Sequence, residues 1–194
     1  SPSRGRGDVY KRQGKFDEAI EAYKKSILLK PNYAEAYDNM GVALKNKGKF
    51  DEAIEAYHKA ISIKPIHANT YYNMGNALRD QLKLDEAIEY YNKSISLNPN
   101  YTDAFNNMGI ALHYQDKSEE AIQAYRKAIS FNPDSAETHQ NLGFMLLRSG
   151  KLKEGLDELE WRWKNPQFMS IQRHFLQPMC CLLYTSPSPR DGLL

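Results

Sequence analysis

Four glycines, Gly41, Gly75, Gly109 and Gly143, stand 34 residues apart, and four prolines, Pro31, Pro65, Pro99 and Pro133, keep the same interval. A chain that repeats at this period folds as an array of one supersecondary unit, not around a single centre.

Other residues return in step. Tyr37, Tyr71 and Phe105 lie four residues before each glycine, Ala53, Ala87 and Ala121 twelve after, and Tyr57, Tyr91 and Tyr125 sixteen after. Within one unit, Tyr37, Met40, Gly41 and Leu44 follow i, i+3, i+4, i+7 spacing, which predicts a first helix over about Ala34 to Asn46 with one apolar stripe. Gly48 suits a left-handed helix end, and Asp51 is expected to cap the next helix. That second helix carries Ala53, Ile54, Tyr57, Ala60 and Ile61, and Pro65 stops it. Gly41, Ala53 and Ala60 are nearly bare, so two helix axes are expected to pass closely there, with Tyr57 filling the space beside them.

These landmarks resemble the tetratricopeptide repeat over Gly14 to about Trp163. The resemblance implies an all-α fold, a right-handed α-solenoid of antiparallel helix pairs stacked on a shared core. Complete units are expected at 34–67, 68–101 and 102–135, preceded by a half unit at 14–33 and followed by a degenerate one at 136–163. In that last unit Gly155 replaces the usual Ala and Leu159 the aromatic. Leu82 and Asp116 occupy the place of Gly48, and Ser118 that of Phe50, so the two turns are expected to be distorted.

The ends read differently. Back-translating Asp8 to Gln13 (DVYKRQ) and reversing the strand, one base out of frame, gives the start of Cys181 to Ser186 (CLLYTS). Residues 1–13 and 181–194 therefore resemble a translated transposon-end sequencing adapter, with 164–180 left as a linker. The first segment holds Arg4, Arg6, Lys11 and Arg12 against Asp8, and the last holds Arg190 against Asp191. Without them the formal charge of +2 becomes −1, which removes the clustered cationic surface that nucleic acid needs. Cys180 and Cys181 form no disulfide framework, and cytoplasmic residence follows from that and from the family's habit. No run of apolar residues is long enough to cross a membrane.

No catalytic site, cofactor or metal site is expected. His58, His67, His113, His139 and His174 lack ligand spacing, and His139 takes the place of a packing aromatic. Asp51-Glu52 and Glu119-Glu120 suit helix N-termini, not acid–base catalysis.

The face of each first helix opposite its packing stripe carries Asn39, Asn73, Asn107 and Asn141 in one register. Asn is a mediocre helix former, so its return points to a role beyond helix formation. Its amide both donates and accepts, and can hold a peptide backbone without reading side chains. Helices pack about 8 to 10 Å apart and an extended chain advances about 3.3 Å per residue, so the ladder would span about nine residues. Val42, Asn76, Ile110 and Phe144 would add contacts, and Lys45, Arg79 and Arg148 would sense ligand charge, as would Glu35 and Asp103.

The ladder resembles that of O-linked N-acetylglucosamine transferases, which implies a protein or peptide ligand in the concave groove. The other reading is that these amides bond locally between units. Gly155-Leu156, Glu160-Trp161-Arg162-Trp163 and Arg173-His174-Phe175 resemble the junction before a glycosyltransferase-like domain in bacterial tetratricopeptide proteins. Trp161 and Trp163 can equally cover the open end of the array, and a spacer or end-to-end self-association is a third reading.

Overall fold

The computed structural model describes residues 2–161, with side chains from Lys15 onward. Nine helices are present among the described residues: α1 (Pro2–Leu29), α2 (Ala34–Asn46), α3 (Phe50–Ile63), α4 (Ala68–Asp80), α5 (Leu84–Leu97), α6 (Thr102–Tyr114), α7 (Ser118–Phe131), α8 (Ala136–Arg148) and α9 (Leu152–Leu159). The first helix expected from spacing matches α2 to the residue. Trp163, His174, the 164–180 linker, the cysteines and the 181–194 segment lie outside the described residues.

Consecutive helices pack pairwise, α2 on α3, α4 on α5, α6 on α7 and α8 on α9, and each second helix also packs on the first helix of the next unit. The backbones of the first helices approach in series, α2 to α4 to α6 to α8, whereas those of α3, α5 and α7 stay apart, with α3 meeting α5 through the edge contact of His58 with Tyr90. The first helices therefore lie on the inside of the curve. The result is an all-helical α-solenoid whose inner face the first helices line.

Its core is one seam. Ala53, Tyr57, Ala87, Tyr91, Ala121, Tyr125 and Ala128 are buried, and two apolar clusters join through Ile88 and Met108, which pack against both. A Cβ built on Gly41 would lie 2.5 Å from Tyr57 Cε1, and one on Gly109 2.6 Å from Tyr125 Cε1. Only glycine fits beneath the ring. The last unit keeps the plan with smaller parts: Leu159 lies under Gly143, and Gly155 is buried. On α9 Leu152 and Leu156 are exposed, whereas Ile122, the counterpart of Leu156 in α7, is buried beneath the following unit.

The turn between paired helices is a Schellman ending. After α2, Lys49 N–H donates to Leu44 O at 3.0 Å and Gly48 N–H to Lys45 O at 2.8 Å, with Gly48 at φ +76°. The distortion expected at Leu82 and Asp116 does not occur. Both residues take the left-handed conformation themselves, at φ 61° and 60°, and Lys83 and Lys117 donate to Leu78 O and Leu112 O at 2.9 and 3.0 Å. The packing of flanking helices fixes the turn, and the residue absorbs the strain. Because Leu82 is exposed and makes no use of its side chain, Leu82→Gly is expected to raise stability by about 1 kcal/mol, read from urea unfolding.

The expected cap is also corrected. Lys49, Lys83 and Lys117 hold the N-cap positions of α3, α5 and α7 without a side-chain cap bond. Asp51 lies in the first turn of α3, where its Oδ1 accepts from Gln81 Nε2 of the next unit at 2.8 Å. Asp85 and Gln115 repeat this bond at 2.8 Å. These carboxylates tie unit to unit.

Candidate functional site: the inner face of the first helices

The asparagine register stands on the inner face, and three of its four amides are engaged between units. Asn73 Nδ2 donates to Asp38 Oδ1 and Oδ2 at 3.3 and 3.4 Å, Asn107 Nδ2 to Tyr72 OH at 3.0 Å, and Asn141 Nδ2 to Asn106 Oδ1 at 3.2 Å. Each acceptor lies 35 residues back, one residue more than the repeat. Asn107 Nδ2 also reaches Asn76 Oδ1 at 2.8 Å. Asn39 is exposed and has no partner among the described residues. The local bond considered from sequence is thus present, and it occupies the NH₂ group while leaving the carbonyl oxygen of each ladder residue without a partner among the described residues.

The other expected contacts separate into two groups. Val42, Ile110 and Phe144 share one register, with Phe144 48% exposed and the other two half-buried. Asn76, in that same register, is buried instead, because its Oδ1 accepts from both Tyr91 OH at 2.8 Å and Asn107 Nδ2. It joins the core to the ladder. In the preceding unit Val42 stands at this place, and the buried Tyr57 OH has no partner.

The cations are all paired inside the chain. Lys45 Nζ lies 3.7 Å from Asp80 Oδ2, Arg79 Nη2 3.0 Å from Asp80 Oδ1, and Arg148 pairs with Asp116. Glu35 is held by Lys64 at 3.0 Å, and its carboxyl is lowered from its ordinary value first by that bond.

Sequence reasoning missed the acceptors. Asp38 is buried beneath Asn73, and burial pushes its carboxyl up against the opposing bonds from Asn73 and Thr70. Tyr72 and Tyr101 pack with ring centroids 5.0 Å apart and planes tilted by 39°, and burial raises both phenols, that of Tyr101 to about 12. Both stay neutral at physiological pH, so Tyr72 OH remains a two-way hydrogen-bonding group beside Asn107. The signal in the sequence is position alone: each acceptor stands immediately before the ladder asparagine of its own unit, and its residue type does not repeat.

At the far end His139 fills the aromatic place expected for it. Its ring is buried, with Nε2 2.9 Å from Pro133 O and Nδ1 2.5 Å from Glu158 Oε2, and Trp161 stacks on it at 4.2 Å and 7°. Trp161 therefore packs on α8 within the last unit, while Leu152 and Leu156 on α9 stay exposed. Among the described residues no cluster of His, Cys, Asp or Glu is disposed to hold a metal ion, and no helix is long and apolar enough to cross a membrane.

Comparison with known proteins agrees with this geometry. Among solved structures, a crystal structure of MamA shares 28% identity over 85% of this chain and 96% of its own, with a TM-score of 0.74. MamA 41-end from Desulfovibrio magneticus RS-1 shares 24% identity over 90% and 95%, with a TM-score of 0.71. YrrB, described as a TPR protein with an unusual peptide-binding site, shares 20% identity over 86% of both chains, with a TM-score of 0.66. No curated protein matches the chain significantly. The TPR repeat model matches residues 7–48, 41–81 and 111–150, and two tetratricopeptide repeat models match 68–101 and 90–123. With more than half its length matched, and with helix pairs stacked in the same register, this chain belongs to the tetratricopeptide repeat family.

Proposed function

We propose that the chain is a protein-interaction scaffold that holds an extended peptide along its inner face. The observation that carries this reading is the ladder's division of labour. The NH₂ groups of Asn73, Asn107 and Asn141 fix the ladder to the unit before, which orients each amide, and each Oδ1 is left to accept a peptide N–H. A hydrogen-bonding group already held in place loses little freedom on binding, so each rung contributes more than a free surface amide would. Repetition along the curve then matches the regular donors of an extended backbone.

The test separates grip from stability. Asn73→Ala combined with Asn107→Ala is expected to weaken peptide binding about tenfold, the equivalent of about 1.4 kcal/mol, with helical content by circular dichroism unchanged. The same pair lowers the unfolding midpoint, because Asp38, Tyr72 and Asn76 lose a donor. Asn39→Ala, which breaks no bond, leaves the midpoint unchanged and still reduces affinity. Unaltered affinity in all these variants, across peptides selected from an unbiased library, would sink the ladder reading.

A second reading is favoured by the junction-like segments Gly155-Leu156, Glu160-Trp161-Arg162-Trp163 and Arg173-His174-Phe175: the array presents polypeptide substrates to a nucleotide-sugar-dependent glycosyltransferase domain. Sequencing the parent gene past Met179 decides between a scaffold and a substrate-presenting region.

A further inference from the structure

The inner face is not uniform along the array. In α6 the residues Asp103, Asn107, Ile110 and Tyr114 descend one line of the helix, and in α8 the line is Glu137, Asn141, Phe144 and Arg148. Each line sets an acid at the first turn, a ladder amide one turn below, and an apolar side chain beneath that. Asp103 and Glu137 are exposed and have no ion-pair partner among the described residues, whereas Arg148 is already neutralised by Asp116. Tyr114 is 64% and Phe144 48% exposed. The corresponding lines of α2 and α4 lack this combination, since Glu35 is held by Lys64, Asn69 is uncharged and Asn76 is buried. Free negative charge and exposed apolar surface therefore coincide on α6 and α8.

We propose that this half of the groove selects peptides in which a basic residue adjoins a bulky apolar one. The inference rests on the groove reading above and names its ligand class. Asp103 precedes Asn107 by one helical turn, as Glu137 precedes Asn141, a rise of about 6 Å. An arginine or lysine whose backbone lies on either amide spans that distance with its own side chain. Neighbouring residues of an extended chain point to opposite sides, so the adjoining apolar residue reaches Ile110, Tyr114 or Phe144 on the other lip. An acidic peptide would meet Asp103 and Glu137 with no free cation on these two helices to receive it.

The experiment is fluorescence anisotropy on the full chain with three labelled nonapeptides of Ser and Ala: one carrying two Arg-Leu pairs, one with Glu in place of Arg, and one with Ser in place of Leu. The Arg-Leu peptide is expected to bind tightest and to weaken about fivefold in the Asp103→Asn, Glu137→Gln double variant, the scale of one solvent-touched ion pair. Phe144→Ala should lower its affinity while leaving that of the Arg-Ser peptide unchanged. Equal or tighter binding of the Glu-Leu peptide overturns the inference, as does failure of the Arg-Leu peptide to saturate at millimolar concentration. Loss of Arg-Leu binding in the Asn73→Ala, Asn107→Ala pair but not in the acid variants overturns the basic-ligand assignment and keeps the groove. Binding unaffected by either pair overturns both.

Discussion

Gly75→Leu is expected to lower the unfolding free energy by about 3 kcal/mol, seen as a fall in the urea midpoint at unchanged slope. The cause is contact, not conformational freedom. A Cβ at Gly75 would stand 2.7 Å from Tyr91 Cε1 and 2.8 Å from Cδ1, and that ring is wholly buried and tethered through its hydroxyl to Asn76. To admit even one carbon, the ring must move, which strains the bond to Asn76 and through it the tie to Asn107. Gly48 provides the contrast. It has open space around its Cβ position but a φ of +76°, so Gly48→Ala is strained only through the backbone. A Gly75→Leu variant no less stable than Gly48→Ala would contradict the close approach.

The architecture was legible because it is written in residues that cannot be exchanged. A glycine paired with an aromatic ring sixteen positions on, and alanines where two axes meet, are steric necessities, so they recur by type and expose the period. The inner face is written differently. Asp38, Tyr72 and Asn106 perform one task for Asn73, Asn107 and Asn141, yet they share only the ability to offer an oxygen. A carboxylate, a phenol and an amide leave no periodic trace, and without the acceptors the asparagines read either as ligand contacts or as local bonds between units. Asn76 was similarly opaque, since Val42 and Ile110 in its register suggest a groove residue and only its neighbours Tyr91 and Asn107 turn it inward.

Two errors at the turns have one origin. Local propensity alone makes Leu82 and Asp116 unfit for a left-handed place and Asp51 a cap, and the neighbouring helices overrule it. Each Schellman pair of bonds forms despite the strain of one residue, and flanking helices that bury Tyr57, Tyr91 and Tyr125 hold the chain to that path. Asp51 and Asp85 then serve a longer-range bond, to Gln81 and Gln115.

Tyr91→Ala, at the middle of the seam, is expected to cost about 3 to 5 kcal/mol, the range for truncating a buried aromatic and leaving its cavity. The consequence for the rest of the array follows from its connectivity. Every unit contacts only its neighbours, so the stability of the whole is a sum of unit terms and interface terms. Emptying the space under Gly75 weakens α4 and α5 together, and it also removes the hydroxyl that holds Asn76, the residue linking this unit to α6 through Asn107. The array is thereby weakened at a joint, and hydrogen exchange should accelerate on both sides of it. Leu159→Ala removes the corresponding side chain from the last unit, where α9 has a neighbour on one side only among the described residues. Exchange should then rise in α8 and α9 and stay low in α2 to α5. If both variants raise exchange uniformly from α2 to α9, the chain unfolds as one cooperative body, and the neighbour-by-neighbour account of its stability fails.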